Sequence, residues 1–159
     1  MPYDVRAVAN FVLECADDAG RAVTNIDINK IVYFLHGWYL AKHSEPLVSA
    51  KIEAWTYGPV FRELFREFRR FGDSPILSKA QKLNLDTGEK EECVCQFTDE
   101  ERSFLEGLTL RYLNISTHRL VTMSHVEGGP WDMVWTEGRP GMQITDEMIC
   151  SYFSSRARN

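Results

Sequence analysis

Four histidines, at 36, 43, 118 and 125, and four cysteines, at 15, 93, 95 and 150, are where chemistry would start in this chain. On a strand, side chains two residues apart share a face, so the Cys93-x-Cys95 pair could ligate a metal jointly. A closed zinc site needs four ligands, however, and no second pair at structural-zinc spacing follows. The cysteines therefore read as free thiols, and no metal or other cofactor is expected. His118 and His125 stand two helical turns apart, with Asp132 and several serines beside them, the raw material of a general base and a nucleophile. None of the patterns G-x-S-x-G, G-x-x-x-x-G-K-[ST] or H-E-x-x-H is present to orient them. His125 reads instead as satisfying buried polar groups near the Gly128-Gly129-Pro130-Trp131 turn, and His36 reads likewise on its helix.

The other chemically distinctive stretch is EAWTYGPVFRELFREFRRFG, Glu53 to Gly72. Arg62, Arg66, Arg69 and Arg70 are the only basic concentration, and Glu63 and Glu67 stand at helical neighbour spacing to Arg66 and Arg70, so local pairing is expected. Such a face is either solvated or turned to an acidic protein surface or a phosphate. The formal net charge of −5 disfavours a nucleic-acid binder, which needs a basic surface. Trp38, Trp55, Tyr57, Trp131 and Trp135 either fill a core or, where Trp55, Tyr57 and Trp131 adjoin turns, anchor a protein partner.

Elements must position these residues. Val5, Val8, Val12 and Cys15 recur at helical spacing, predicting a helix over 4–18 that ends at Gly20. Thr24 with Asp27 makes a capping-box start for a second helix reaching about Lys42. Apolar on several sides, it is the expected central helix, and its Gly37 is expected to admit a neighbouring backbone. Residues 47–55 read as an extended connection, and Gly58-Pro59 as a turn with proline at the first position of a third helix. That helix, running to Phe71, places Val60, Phe61, Leu64, Phe65, Phe68 and Phe71 in one sector, with the arginines outside it.

Asp86-Thr87-Gly88 between two strand-like runs predicts a small hairpin. Thr98-Asp-Glu-Glu101 is a capping box for a helix carrying Phe104, Leu105, Leu108 and Tyr112 on one face. Ser116 caps a short helix, WDMVW starts another, and Thr145 caps a last one with Met148, Ile149, Tyr152 and Phe153 inward. At 159 residues and 44% hydrophobic, the chain is expected to form one mainly α (α+β) domain of several helices with a small β-hairpin. The N-terminal stretch lacks the pattern of a signal peptide and no apolar run is long enough to span a membrane, so a cytoplasmic location is expected.

The run from Asn29 to Gly72, with SHVEGGPW farther on, resembles the Panacea domain, the SocA-like antitoxin family of bacterial and prophage toxin–antitoxin pairs. The resemblance rests on Lys30, Tyr33, His36, Gly37, Trp38 and Leu40, then Glu53, Ala54, Trp55, Tyr57, Gly58, Pro59 and Val60, then Ser124, His125, Pro130 and Trp131. Asn29 departs from the pattern, which more often has glutamine there. The resemblance implies a largely helical fold with minor β structure and no enzymatic activity. It also implies a cognate protein toxin, usually encoded by an adjacent gene, that is either masked or presented to the ClpXP protease. The expected partner face is Trp55, Tyr57, Pro59, Arg62, Arg66, His125 and Trp131, carried on a framework of Lys30, Tyr33, His36, Gly37, Trp38, Gly58 and Pro130.

Overall fold

The computed structural model describes residues 2–136 and 138–157. Helix α1, Val5–Ala19, starts at Asp4, whose side chain accepts from the Arg6 amide, and ends at Gly20 in the left-handed conformation. Helix α2, Asn25–His43, begins at the Thr24–Asp27 capping box. Nearly every residue of α2 up to Leu40 is buried. It packs against α1 and, farther along the chain, against α3 (Arg62–Glu67), α4 (Asp99–Leu113), α5 (Thr117–Ser124) and α7 (Asp146–Ala157). This is the central helix that its all-round apolar sequence predicts. The short α6, Pro130–Val134, has Pro130 in its first turn, where a missing N–H costs nothing.

Two small sheets accompany the helices, so the chain is mainly helical but not all-helical. Strands β1 (Ile52–Trp55) and β2 (Gly58–Phe61) form an antiparallel pair, and β5 (Met142–Ile144) adds to the other side of β1. Strands β3 (Gln81–Leu83) and β4 (Lys90–Glu92) form the expected hairpin around Asp86-Thr87-Gly88, exposed on both faces. Its base is clamped by Asn10 of α1, itself buried, which donates to the Ala80 and Cys93 carbonyls and accepts from the Ala80 amide, with longer contacts from Gln81 to Arg6 and Glu67 beside it.

Two sequence expectations are corrected at β2. Gly58-Pro59 does not open a helix, because residues 58–61 pair with β1 in the register Ala54↔Pro59 and Ile52↔Phe61. Proline fits there because β2 is an edge strand and position 59 turns its backbone away from β1, where no ladder N–H is required. The helix expected to reach Phe71 stops at Glu67 and gives way to a 3-10 turn over Arg69–Phe71. Phe61, Leu64 and Phe68 are nonetheless core, and the four arginines are exposed, as the spacing requires.

The local Glu–Arg pairing is also corrected. Glu63 lies 3.8 Å from Arg6 of α1, Arg62 pairs with Glu53 at 2.8 Å, and among the described residues neither Glu63 nor Glu67 forms an ion pair with Arg66 or Arg70. A six-residue helix presents each glutamate to its tertiary neighbours as readily as to the next turn. At Gly37, finally, an aromatic ring rather than a backbone approaches: a Cβ there would lie only 2.3–2.6 Å from atoms of the Phe153 ring of α7.

Candidate partner-binding site

The β1–β2 turn, Trp55-Thr56-Tyr57-Gly58, is a surface feature braced by side chains from α2, from the C-terminal end of α5 and from α6. Among the described residues Ser44 is the sole non-glycine with positive φ, so Thr56 and Tyr57 take ordinary backbone and the positive φ of 111° falls on Gly58. A Cβ on Gly58 would come within 2.6 Å of Ser124 Oγ and 2.9 Å of Lys30 Cε, so only glycine lets these groups converge.

Bracing comes from three directions. Trp131 Nε1 donates to the Trp55 carbonyl at 2.7 Å. His125 places Nε2 3.2 Å from the Thr56 carbonyl and Nδ1 2.7 Å from the Val121 carbonyl, and its ring packs on Trp131 at 4.0 Å. An imidazole with one proton donates to only one of these carbonyls at a time. From below, α2 meets the outer edge of β2: Asn29 Oδ1 accepts from the Phe61 amide at 2.9 Å, and Lys30 Nζ donates to the Pro59 carbonyl at 3.0 Å. These two buried polar side chains satisfy backbone groups that an edge strand leaves unpaired, a desolvation cost that would otherwise be large.

Lys30 is 1% exposed and has no ion pair among the described residues. Burial pushes its ammonium down to about 7, because the charged form has lost water without gaining a counter-ion. A cavity of about 410 Å³ opens beside it, walled by Trp55, Tyr57, Val60 and Phe65, with Lys30 and Asn29 at its base and Asp73 and Pro140 at its mouth. Tyr57 is 66% exposed.

Next to this cavity is a charged surface. Glu53 accepts from Arg62 Nη2 at 2.8 Å and from Trp55 Nε1 at 2.9 Å, and the Arg62 hydrogen bonds hold its carboxyl below the usual carboxylate range. Arg62 and Arg66 line a shallow depression with Arg6, Lys51 and Glu63.

The structure thus brings together Lys30, Trp55, Tyr57, Gly58, Pro59, Arg62, His125 and Trp131, with Arg66 beyond them along α3. They differ in exposure. Pro59 and Trp131 are buried, and His125 is partly buried and held by carbonyls, so these three brace the turn from beneath. Trp55, Tyr57, Arg62 and Arg66 remain the outward surface.

The other framework residues gather elsewhere. His36, fully buried, sets Nε2 2.8 Å from Asp146 Oδ1, while its Nδ1 faces the Val48 amide at 3.4 Å. Trp38 Nε1 donates to the Tyr112 hydroxyl at 2.7 Å, and Tyr33 and Trp38 both pack edge-on to Phe153. Pro130 is buried at the start of α6.

Asn29 and Ser124 were not singled out as site residues. Asn25 and Asn29, two amides one turn apart near the start of a helix otherwise rich in apolar residues, are the signal that could have marked Asn29. Among the described residues no three of His, Cys, Asp and Glu gather as a metal site. Cys93 and Cys95 are buried, and burial raises both thiols, the latter to about 12.

Fold and site together define a mainly helical α+β domain organised around a braced surface turn. Residues 28–132 match the family "Antitoxin SocA-like, Panacea domain". Antitoxin SocA of Caulobacter vibrioides (strain NA1000 / CB15N) is 33% identical over 155 residues, covering 94% of this chain and 82% of that protein. No solved structure gives a significant match. The chain belongs to the SocA-like antitoxin family and carries its Panacea domain. Among the described residues no helix is long and apolar enough to cross a membrane.

Proposed function

We propose that this protein is an antitoxin that neutralises a cognate protein toxin by direct contact, using the Trp55–Tyr57 turn and the Arg62–Arg66 face. The observation that carries this reading is the exposed Tyr57 on a turn held rigid by Lys30, His125 and Trp131. A large aromatic on a pre-organised turn contributes contact area with little ordering entropy left to lose, which favours tight protein binding. Arginines beside it suit an acidic partner surface, steering approach and adding charge-assisted hydrogen bonds.

Co-expression with the product of an adjacent gene tests the reading. The toxin alone should arrest growth, and this chain should restore it. Tyr57→Ala, and Arg62→Glu combined with Arg66→Glu, should lose protection while far-UV circular dichroism stays unchanged, because these side chains are exposed. A neighbouring gene that is harmless alone, or that stays lethal beside the wild-type chain, defeats the proposal. Toxin half-life then separates masking from hand-over: a stable complex means the toxin is held, and a half-life that shortens only with ClpXP means it is delivered.

A further inference from the structure

The cavity beside Lys30 has a chemistry of its own. Its walls are apolar and aromatic, while its base holds an ammonium that uses one of three N–H bonds, on the Pro59 carbonyl. The lining's one acid, Asp73, is exposed at the mouth and makes no ion pair among the described residues, so the cation at the base is not neutralised from within. At about 410 Å³ the space falls in the range of ligand sites and can admit one large side chain. An occupant must therefore be an apolar body carrying an anionic acceptor close by. A chain-terminal apolar residue supplies both from a single residue, its side chain for the walls and its carboxylate for the free donors. An internal acidic residue supplies the charge without the apolar body.

We propose that this pocket binds the carboxyl-terminal residue of a partner polypeptide, an apolar side chain seated against Trp55, Tyr57 and Phe65 with the terminal carboxylate on Lys30 Nζ. The inference rests on the partner-binding reading and deepens it by specifying which end of the partner is gripped.

The test uses the purified chain at about pH 6, where Lys30 carries its proton, and three probes followed by NMR. These are acetyl-Gly-Ala-Phe as the free acid, the same tripeptide as its C-terminal amide, and hydrocinnamate. The acid should shift the resonances of Tyr57, Val60 and Phe65 and bind roughly tenfold or more tighter than the amide, the scale of one charge-assisted hydrogen bond. It should also bind more tightly than hydrocinnamate, which has the ring and the carboxylate without the peptide.

Lys30→Met should abolish the difference between acid and amide, and Tyr57→Ala should weaken both. Equal affinity of acid and amide, or no binding by either, overturns the proposal. Equal affinity of hydrocinnamate and the peptide acid overturns the polypeptide assignment in favour of small carboxylates. Should Lys30→Met fail to fold, the acid–amide comparison on the wild-type chain and the exposed Tyr57→Ala variant decide alone. Discrimination by the pocket without protection in co-expression strikes the antitoxin reading and leaves the pocket standing. Protection without discrimination does the reverse.

Discussion

Lys30 is the residue at which structure and energetics pull hardest against each other. Its role on the Pro59 carbonyl requires burial, and burial without a counter-ion lowers its pKa from 10.5 to about 7. The unfolded chain therefore holds this proton across a window in which the folded chain releases it. Where the unfolded state binds more protons, stability rises with pH. The penalty from Lys30 is thus full below about pH 7 and gone above about 10.5, a swing on the order of 4–5 kcal/mol. Lys30→Met keeps a long unbranched side chain, one atom shorter, and removes both the titration and the pH-independent part of the Pro59 contact. We expect the unfolding free energy of wild type minus that of Lys30→Met, from urea melts, to increase through this window. A difference that stays flat would show that the ammonium is solvated in the folded state. Taking the difference matters because buried thiols and phenols titrate nearby, Cys15 being raised to about 11. His125 and Trp131 make the complementary case. Sequence alone left them open between packing and contact; Trp131 is buried and donates to the Trp55 carbonyl, while His125 is partly buried with Nε2 3.2 Å from the Thr56 carbonyl.

Between elements, the contact of α2 with α7 turns on Gly37 and Phe153. Intrinsic helix propensity favours alanine over glycine by about 1 kcal/mol. At position 37, however, the added methyl would displace the buried Phe153 ring, and overpacking of this kind costs about 1–3 kcal/mol. Gly37→Ala should therefore destabilise the wild-type protein. In a Phe153→Ala background, itself destabilised by about 3–5 kcal/mol, the same change should become neutral or stabilising, since the clash is gone and the propensity remains. Thermal or urea melts of the four proteins read out this reversal of sign, and additivity of the two changes would refute it. Caps and central helix were legible because each is encoded within a few residues: Thr24 with Asp27, Thr98 with Glu101, and Ser116 all cap where their spacing indicates. Strand β5 was not legible, because only Ile144 of its three residues is buried and its pairing with β1 lies some ninety positions away in the chain.

At the scale of the molecule, buried apolar residues of α1, α2, α4, α5 and α7 and of β1, with Phe61 of β2, form one cluster, and we propose that they unfold as one unit. Far-UV circular dichroism and tryptophan fluorescence should then give coincident melting curves, and two separated midpoints would argue for two units. The β3–β4 hairpin should contribute little to that unit. Replacing residues 82–91 by an Asn-Gly turn retains the Asn10 clamp on Ala80 and Cys93, and should change stability by less than about 1 kcal/mol. The same variant reports on the exposed Leu83 and Leu85: loss of toxin protection with an unchanged melt would move part of the contact surface onto the hairpin. The chain by itself determined its long helices α1, α2 and α4 with the caps of α2 and α4, most of its apolar core and its family, because periodicity, capping and motif spacing are local properties. Tertiary structure alone decided that Pro59 ends up in an edge strand, that Asn29 and Lys30 serve that strand's unpaired backbone, and that a cavity opens beside them. The physical reason is that a backbone group's need for a partner is the same everywhere along the sequence, whereas which side chain answers it depends on what folding brings within about 3 Å.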